Sequence, residues 1–306
     1  MKLDRRTLFK IAGAAGASGA ALAAGTARAG VNALPRPGAR GVLVDTTLCV
    51  GCRGCEAACA EANALPSPER PGEDAVFASR RPTGPQTFTV VNRGVAKSPA
   101  GEERFAKAQC LHCVDPACAS GCVVKALEKT ASGPVVYHRE RCLGCRYCMV
   151  VCPFGVPKYE YDKALPYVRK CTFCAERQAK GLPPACTDVC PSGALLFGER
   201  QKLLEVAKQR IYGTPGKYIP EIYGEDQAGG TSWLYISDVP FETLGLPQNV
   251  QRGSYPQLAS GALSAVPFVI TLWPPLLMGL YTFSKRREEI AAGEKGPGAH
   301  EEDGHE

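Results

Sequence analysis

Cys142-Leu143-Gly144-Cys145-Arg146-Tyr147-Cys148-Met149-Val150-Val151-Cys152-Pro153 sets four thiols in a C-x2-C-x2-C-x3-C-P pattern. At this spacing three thiolates grip three irons of one 4Fe-4S cube, while the fourth, starting the next element, reaches a neighbouring cube. Gly144 allows the tight turn that aims backbone N–H groups at the sulfurs. Working outward, Cys49, Cys52, Cys55 and Cys59 repeat the spacing with Ala60 in place of the proline, and Gly51 and Gly54 lie in their loop. Cys110, Cys113, Cys118 and Cys122 are stretched by four residues between Cys113 and Cys118. Cys171, Cys174, Cys186 and Cys190 are stretched by eleven between Cys174 and Cys186. The 16 cysteines fall into these runs with none left over, which predicts all of them as ligands and four 4Fe-4S clusters as cofactors.

Competing chemistries fit the spacing less well. Structural zinc uses two CxxC knuckles, and only the fourth run could pass for a variant of that. Disulfides are the default outside the cytosol, yet cysteines two residues apart in tight loops pair poorly. A 3Fe-4S centre needs a missing ligand, and every run is complete. No CxxCH motif for covalent haem occurs, nor any catalytic triad, P-loop or dinucleotide fingerprint, so no catalytic residue is assigned. His112, between Cys110 and Cys113, is either a residue that tunes that site or a plain loop histidine.

The chain has 306 residues and 45% hydrophobic content, enough for a core, while 33 Gly and 25 Pro point to a loop-rich fold. Of the formal charge of +6, the first 29 residues carry +4 and residues 284–306 carry −3, leaving +5 for the stretch between. That excess suits buried thiolate-ligated cofactors, and without interleaved aromatic and basic residues it gives no sign of nucleic-acid binding. Short apolar stretches at Gly41–Val44, Val135–Tyr137 and Ala194–Phe197 flank the cysteine runs and read as small strands. The expected fold is α+β, with two pseudo-repeated bacterial-type ferredoxin units, each for two 4Fe-4S clusters, over residues 40–199. Residues 60–109 read as a loop insertion over the surface, and 200–257 as a C-terminal extension without chemistry of its own.

Both ends carry targeting signals. Arg5-Arg6 followed by Leu8 and Phe9, a weakly apolar Ala/Gly run, and Ala27-Arg28-Ala29 read as a twin-arginine signal peptide over residues 1–29. That route exports folded protein, so cofactors can be inserted before the chain meets an oxidising compartment. Residues 262–283 are almost wholly apolar and span about 33 Å as a helix, enough for a hydrocarbon core of about 30 Å. Pro267, Pro274 and Pro275 would kink such a helix, and Lys285-Arg286-Arg287 behind it favour a cytoplasmic tail over 284–306. The expected location is the periplasmic side of the cytoplasmic membrane, held by a single C-terminal anchor.

Beyond the four runs in order, the chain carries Cys152-Pro153-Phe154-Gly155-Val156-Pro157 and Cys190-Pro191-Ser192-Gly193-Ala194-Leu195. It also carries Tyr223-Gly224-Glu225 and Gly229-Gly230-Thr231, leading to Leu234-Tyr235. With these it resembles the four-cluster iron-sulfur subunits of membrane-bound oxidoreductases, the HybA-type and formate dehydrogenase beta-subunit-like family. Spacing alone leaves three pairings of the runs open. The resemblance implies one: Cys49, Cys52, Cys55 and Cys190 hold one cluster, and Cys171, Cys174, Cys186 and Cys59 the second. Cys110, Cys113, Cys118 and Cys152 would hold the third, and Cys142, Cys145, Cys148 and Cys122 the fourth. Val123 departs from the proline that often follows the second run. The implied function is a non-catalytic electron relay from a hydrogenase or formate dehydrogenase-type catalytic subunit to an NrfD-type integral membrane subunit that interacts with quinone. Another molybdenum oxidoreductase as donor, and a zinc-stabilised non-redox scaffold, are the alternative readings. Changing Arg5 and Arg6 to Lys is expected to strand the precursor in the cytoplasm, which fractionation and immunoblotting of the two compartments will read.

Overall fold

The computed structural model describes residues 37–68 and 74–294. The expected signal peptide, and the tail beyond residue 294, lie outside the described residues. The described residues fall into two units, one ending at Leu258 and the other beginning at Ala259.

In the first unit the elements are short and separated by cysteine loops. β1 (Arg40–Asp45) is followed by α1 (Gly54–Ala62), β2 (Thr89–Arg93), β3 (Phe105–Gln109) and α2 (Ala117–Ser120). Then come β4 (Leu127–Lys129), β5 (Val135–Tyr137), α3 (Tyr147–Val150), β6 (Lys158–Tyr159) and β7 (Val168–Arg169). α4 (Ala175–Ala179), α5 (Ala185–Asp188), β8 (Leu195–Glu199), α6 (Arg200–Gly213) and β9 (Trp233–Ile236) complete it. The mixed helix and strand content matches the expected α+β class.

β1 is the central strand of a sheet ordered β8-β1-β9, antiparallel to β8 and parallel to β9. Being covered on both faces, it is a continuous apolar run rather than an alternating one. Its alternate side chains enter different cores. Val42 and Val44 pack with Phe173, Leu195, Trp233 and Tyr235, on the side that also takes up Cys55, Cys186 and Cys190. Leu43 packs with Leu234 and Ile236 of β9 and with Leu203, Leu204, Ala207 and Ile211, the apolar stripe of α6.

Three two-stranded antiparallel pairs, β2-β3, β4-β5 and β6-β7, lie between the cysteine runs. The stretch read as a surface insertion ends in one of them. Val90, Val91, Ala106 and Lys107 of the β2-β3 pair are all buried, because this pair packs under the first cysteine loop. Glu56 fixes that contact: its carboxylate accepts from Arg53 at 3.0 Å, Arg81 at 2.6 Å and the Val91 backbone N–H at 2.6 Å. The stretch read as an extension likewise supplies β9 to the central sheet. Its approach is set by buried Arg200, whose Nε donates to the Thr231 carbonyl at 2.6 Å and whose Nη2 donates to those of Gly224 and Glu225 at 3.1 and 3.0 Å.

α7 (Tyr255–Glu294), which carries the described residues of the second unit, runs unbroken through Pro267, Pro274 and Pro275. It is longer than the expected 262–283 because the charged residues after the apolar stretch continue the helix. Residues 265–291 contain a candidate membrane span whose most apolar stretch has a mean hydropathy of 1.5, and their side chains are exposed rather than packed in a core. Thr271 Oγ1 donates back to the Pro267 carbonyl at 2.7 Å, a side-chain bond of the kind that accompanies proline in such helices.

Gly224 adopts φ +96°, and a Cβ there would meet the Trp233 carbonyl oxygen at 2.3 Å and Thr231 Oγ1 at 2.5 Å. Gly224→Ala is therefore expected to destabilise the fold by about 2 kcal/mol or more, read as a fall in thermal midpoint by circular dichroism of the anaerobic protein.

Candidate metal centres

Cysteine placement follows from strand register. Val44 pairs with Leu195, so Cys49, five residues after one, and Cys190, five before the other, leave the sheet at the same end. Leu127 pairs with Tyr137, and Cys122 and Cys142 stand at the same five-residue offsets. The loops repeat as well. Gly51 and Gly144 have φ of 70° and 71°, and Arg53 and Arg146 have 58° and 60°. Left-handed backbone costs a non-glycine residue about 1–2 kcal/mol, so the surrounding structure must hold these arginines in place. Arg146 stacks its guanidinium over Tyr159 and Tyr161, both at 5.7 Å. The loops that start the second and fourth runs match each other too, with φ of 47° at His112 and 55° at Phe173, and these two rings stack at 4.9 Å.

All sixteen thiols are free, and they gather by proximity rather than by run. One small cavity is lined by Cys49, Cys52, Cys55, Cys190 and Lys107 among others. Cys59 lies in the field of Cys186 and Cys174, and Cys171 in that of Cys59. Cys113 is surrounded by Cys110, Cys152 and Cys118. Cys148 is surrounded by Cys142, Cys145 and Cys122. Between these groups Cys55 feels Cys186, Cys171 feels Cys110, and Cys118 feels Cys148, so the four groups form a row. Cys52 and Cys145, in the two end groups, are exposed, whereas Cys59, Cys110, Cys118, Cys171 and Cys186 of the inner two are buried. Apolar side chains surround the outer thiols, with Val50 64% exposed at one end and Leu143 and Val150 72% and 79% exposed at the other.

Burial pushes the Cys49 and Cys148 thiols up to about 11 and those of Cys59 and Cys118 up to about 12, with neighbouring thiols adding to the effect. Such thiols ionise at neutral pH only in exchange for a bound cation, so deprotonation and metal loading are linked. Backbone amides are aimed at the sulfurs: Gly144 N–H points to Cys142 Sγ at 3.4 Å, Phe173 N–H to Cys171 Sγ at 3.3 Å and Ala126 N–H to Cys122 Sγ at 3.2 Å. Among the described residues, no three His, Cys, Asp or Glu side chains converge as one metal ion would require.

His112 provides a second test of fit. It is fully buried, and Nδ1 accepts the Val135 N–H at 2.9 Å, which places the ring proton on Nε2. Burial, then Lys170, Lys129 and Lys107, hold the imidazole neutral, well below its usual range. Nε2 has no hydrogen-bond partner, the Cys171 backbone acting on it without reaching bonding geometry. An orphaned donor buried between cysteine groups suits a sulfide-rich cofactor.

Residues 102–200 match the family model of a 4Fe-4S dicluster domain. A protein of Nitratidesulfovibrio vulgaris is 46% identical over 300 residues, covering 96% of this chain and 80% of the relative. Hydrogenase-2 operon protein HybA of Escherichia coli O157:H7 is 37% identical over 80% of this chain and 84% of its own length. The iron-sulfur subunit of the nitrate-inducible formate dehydrogenase of Escherichia coli K12 is 31% identical over 75% and 80%. The chain belongs to the HybA and formate dehydrogenase iron-sulfur subunit family. As a member of that family it carries iron-sulfur clusters, and the cysteine groups are where its thiols can hold them. Sequence reasoning singled out every cysteine but missed Phe173, Lys107 and Lys170. Lys107 stands three residues before the second run and Lys170 directly before the fourth, a local signal that only burial makes meaningful.

Proposed function

We propose that this chain relays electrons through four 4Fe-4S clusters from a periplasmic catalytic subunit, a NiFe hydrogenase, to an NrfD-type integral membrane subunit that reduces quinone. The ligand sets are Cys49, Cys52, Cys55 and Cys190; Cys59, Cys171, Cys174 and Cys186; Cys110, Cys113, Cys118 and Cys152; and Cys122, Cys142, Cys145 and Cys148. The observation that carries this reading is the row of cysteine groups, buried in the middle and reaching the surface at Cys52 and Cys145. A 4Fe-4S cluster exchanges single electrons at a potential set by its surroundings. The chain's own part is to fix sixteen thiols on short loops, keep water from the inner ones and hold their amides in place, so that little has to move when charge passes. Matching loop conformations in the first and third runs, and in the second and fourth, support two pseudo-repeated units.

Greater identity to HybA than to the formate dehydrogenase subunit, 37% against 31%, favours hydrogen over formate as the donor's substrate. A formate dehydrogenase or other molybdenum enzyme is the second reading. The apolar α7, with Lys285-Arg286-Arg287 near its end, supports an anchor with a cytoplasmic tail and the relay on the far side, delivered by the twin-arginine route.

Anaerobically purified protein is expected to hold about sixteen irons per chain, four in each 4Fe-4S cluster. After dithionite reduction, low-temperature EPR should show interacting clusters; near-stoichiometric zinc without such signals would end the relay reading. Cys152→Ser and Cys113→Ser are expected to perturb the same EPR species, and Cys145→Ser a different one. If Cys152→Ser instead altered the species that Cys145→Ser alters, the ligand exchange between runs would be wrong.

A further inference from the structure

Lys107 and Lys170 lie in the interior without a carboxylate partner among the described residues. Lys107 is 2% exposed; its Nζ donates to Gln109 Oε1 at 3.0 Å and lies over the Trp233 ring, 4.4 Å from the centroid. Gln109 is held in turn by its Nε2 donating to Tyr235 Oη at 2.7 Å, and Tyr235 Oη donates to the Lys107 carbonyl at 2.8 Å. Lys170 is 6% exposed, and its Nζ donates to the Val135 carbonyl at 2.5 Å and the Cys171 carbonyl at 3.2 Å. Neither forms an ion pair among the described residues. An ammonium in the interior costs several kcal/mol unless an anion faces it, and side chains of this type are almost never fully buried unpaired.

The anions that do face them are cysteine sulfurs. Lys107 lines the cavity of Cys49, Cys52, Cys55 and Cys190, and on its other side it acts on Cys59, Cys171 and Cys186. Lys170 bonds the carbonyl of Cys171 in the second group, and through Val135 it adjoins the core that contains Cys118 of the third. Each lysine thus stands between consecutive groups in the row. The last group differs: burial and the thiols of Cys142, Cys145 and Cys122 dominate the surroundings of Cys148.

We propose that Lys107 and Lys170 are built-in positive charges between consecutive clusters, raising the reduction potentials of the clusters they separate and leaving that of the Cys122, Cys142, Cys145 and Cys148 cluster unmoved. This rests on the four-cluster reading above. A fixed cation favours the reduced, more negative form, and a cation shared by two sites smooths the step between them. Lys107 would act on the first and second clusters, Lys170 on the second and third.

Lys107→Met and Lys170→Met keep side-chain length and remove the charge; Lys202→Met, at an exposed position of α6, is the control. Redox titration followed by EPR on the full-length chain, purified anaerobically in detergent, reads the midpoints, with iron content and spin count measured on the same samples. Each Met variant should shift two midpoints negative by at least a tenfold change in the one-electron equilibrium, 59 mV. The midpoint lost in Cys145→Ser, which marks the fourth cluster, should stay in place, as should all midpoints in Lys202→Met. Full iron content with unmoved midpoints would overturn this inference alone; an unmodified protein without clusters would overturn the relay reading instead. Should the Met variants lose iron, Lys107→Arg and Lys170→Arg decide the matter. Iron retained with arginine supports the charge, and iron lost in both series makes these lysines packing elements and overturns the proposal.

Discussion

β1 pairs with β8 on one side and β9 on the other, and the cysteine row depends on that pairing. The strand leads directly into the first run, β8 leads directly out of the fourth, and their register sets Cys49 opposite Cys190. A slip by one residue would turn Val42 and Val44 away from the cysteine-side core and Leu43 into it. It would also separate a pair of thiols that come from opposite ends of the cysteine-bearing chain. The same constraint recurs on a smaller scale at β4-β5, where a three-residue pair does for Cys122 and Cys142 what the central sheet does for Cys49 and Cys190. β9, from a segment without cysteines, covers the free edge of β1 and brings Trp233 and Tyr235 into the core shared with Cys55, Cys186 and Cys190.

The interior this creates is electrostatically uneven. Thiols, a neutral histidine and ammonium groups share space that in most proteins would hold only apolar side chains. Two kinds of device keep it stable. Neutral dipoles are aimed at charged positions, as with the amides of Gly144, Phe173 and Ala126 and the Gln109-Tyr235 pair. Charges that serve packing alone are paired locally, as in Arg104 with Asp238 at 2.7 Å and Glu56 with two arginines. Lys107 and Lys170, buried without a carboxylate among the described residues, face sulfur.

The cysteines were legible in the sequence because their chemistry is local: two or three intervening residues fix how a loop can wrap, whatever lies around it. The short strands beside them were legible for the same reason, as apolar stretches next to tight turns. What escaped depends on contacts between distant residues. Nothing near Lys107 marks it as buried, since a strand of alternating Lys and Gln ordinarily faces water, and its burial comes from the first cysteine loop and Trp233 packing over it. His112 carried two readings, and only the orphaned Nε2 and the stack on Phe173 distinguish it from a plain loop residue. The segment beyond residue 200 resembled an appendage because a single strand added parallel to a sheet leaves no hairpin signal. The proline-containing helix ran past its apolar stretch because helix continuity depends on backbone hydrogen bonds, which outlast the change from apolar to charged side chains.

The solvent-reaching thiols at both ends of the row also determine how this protein would decay. Cys52 and Cys145 are where oxidants arrive first, and attack there starts the ladder from sulfenic acid towards irreversible products. The sheet, the α6 stripe and the inner thiols take no part in that reaction. Air would therefore reach the two ends of the row long before its middle, in a molecule whose fold is untouched.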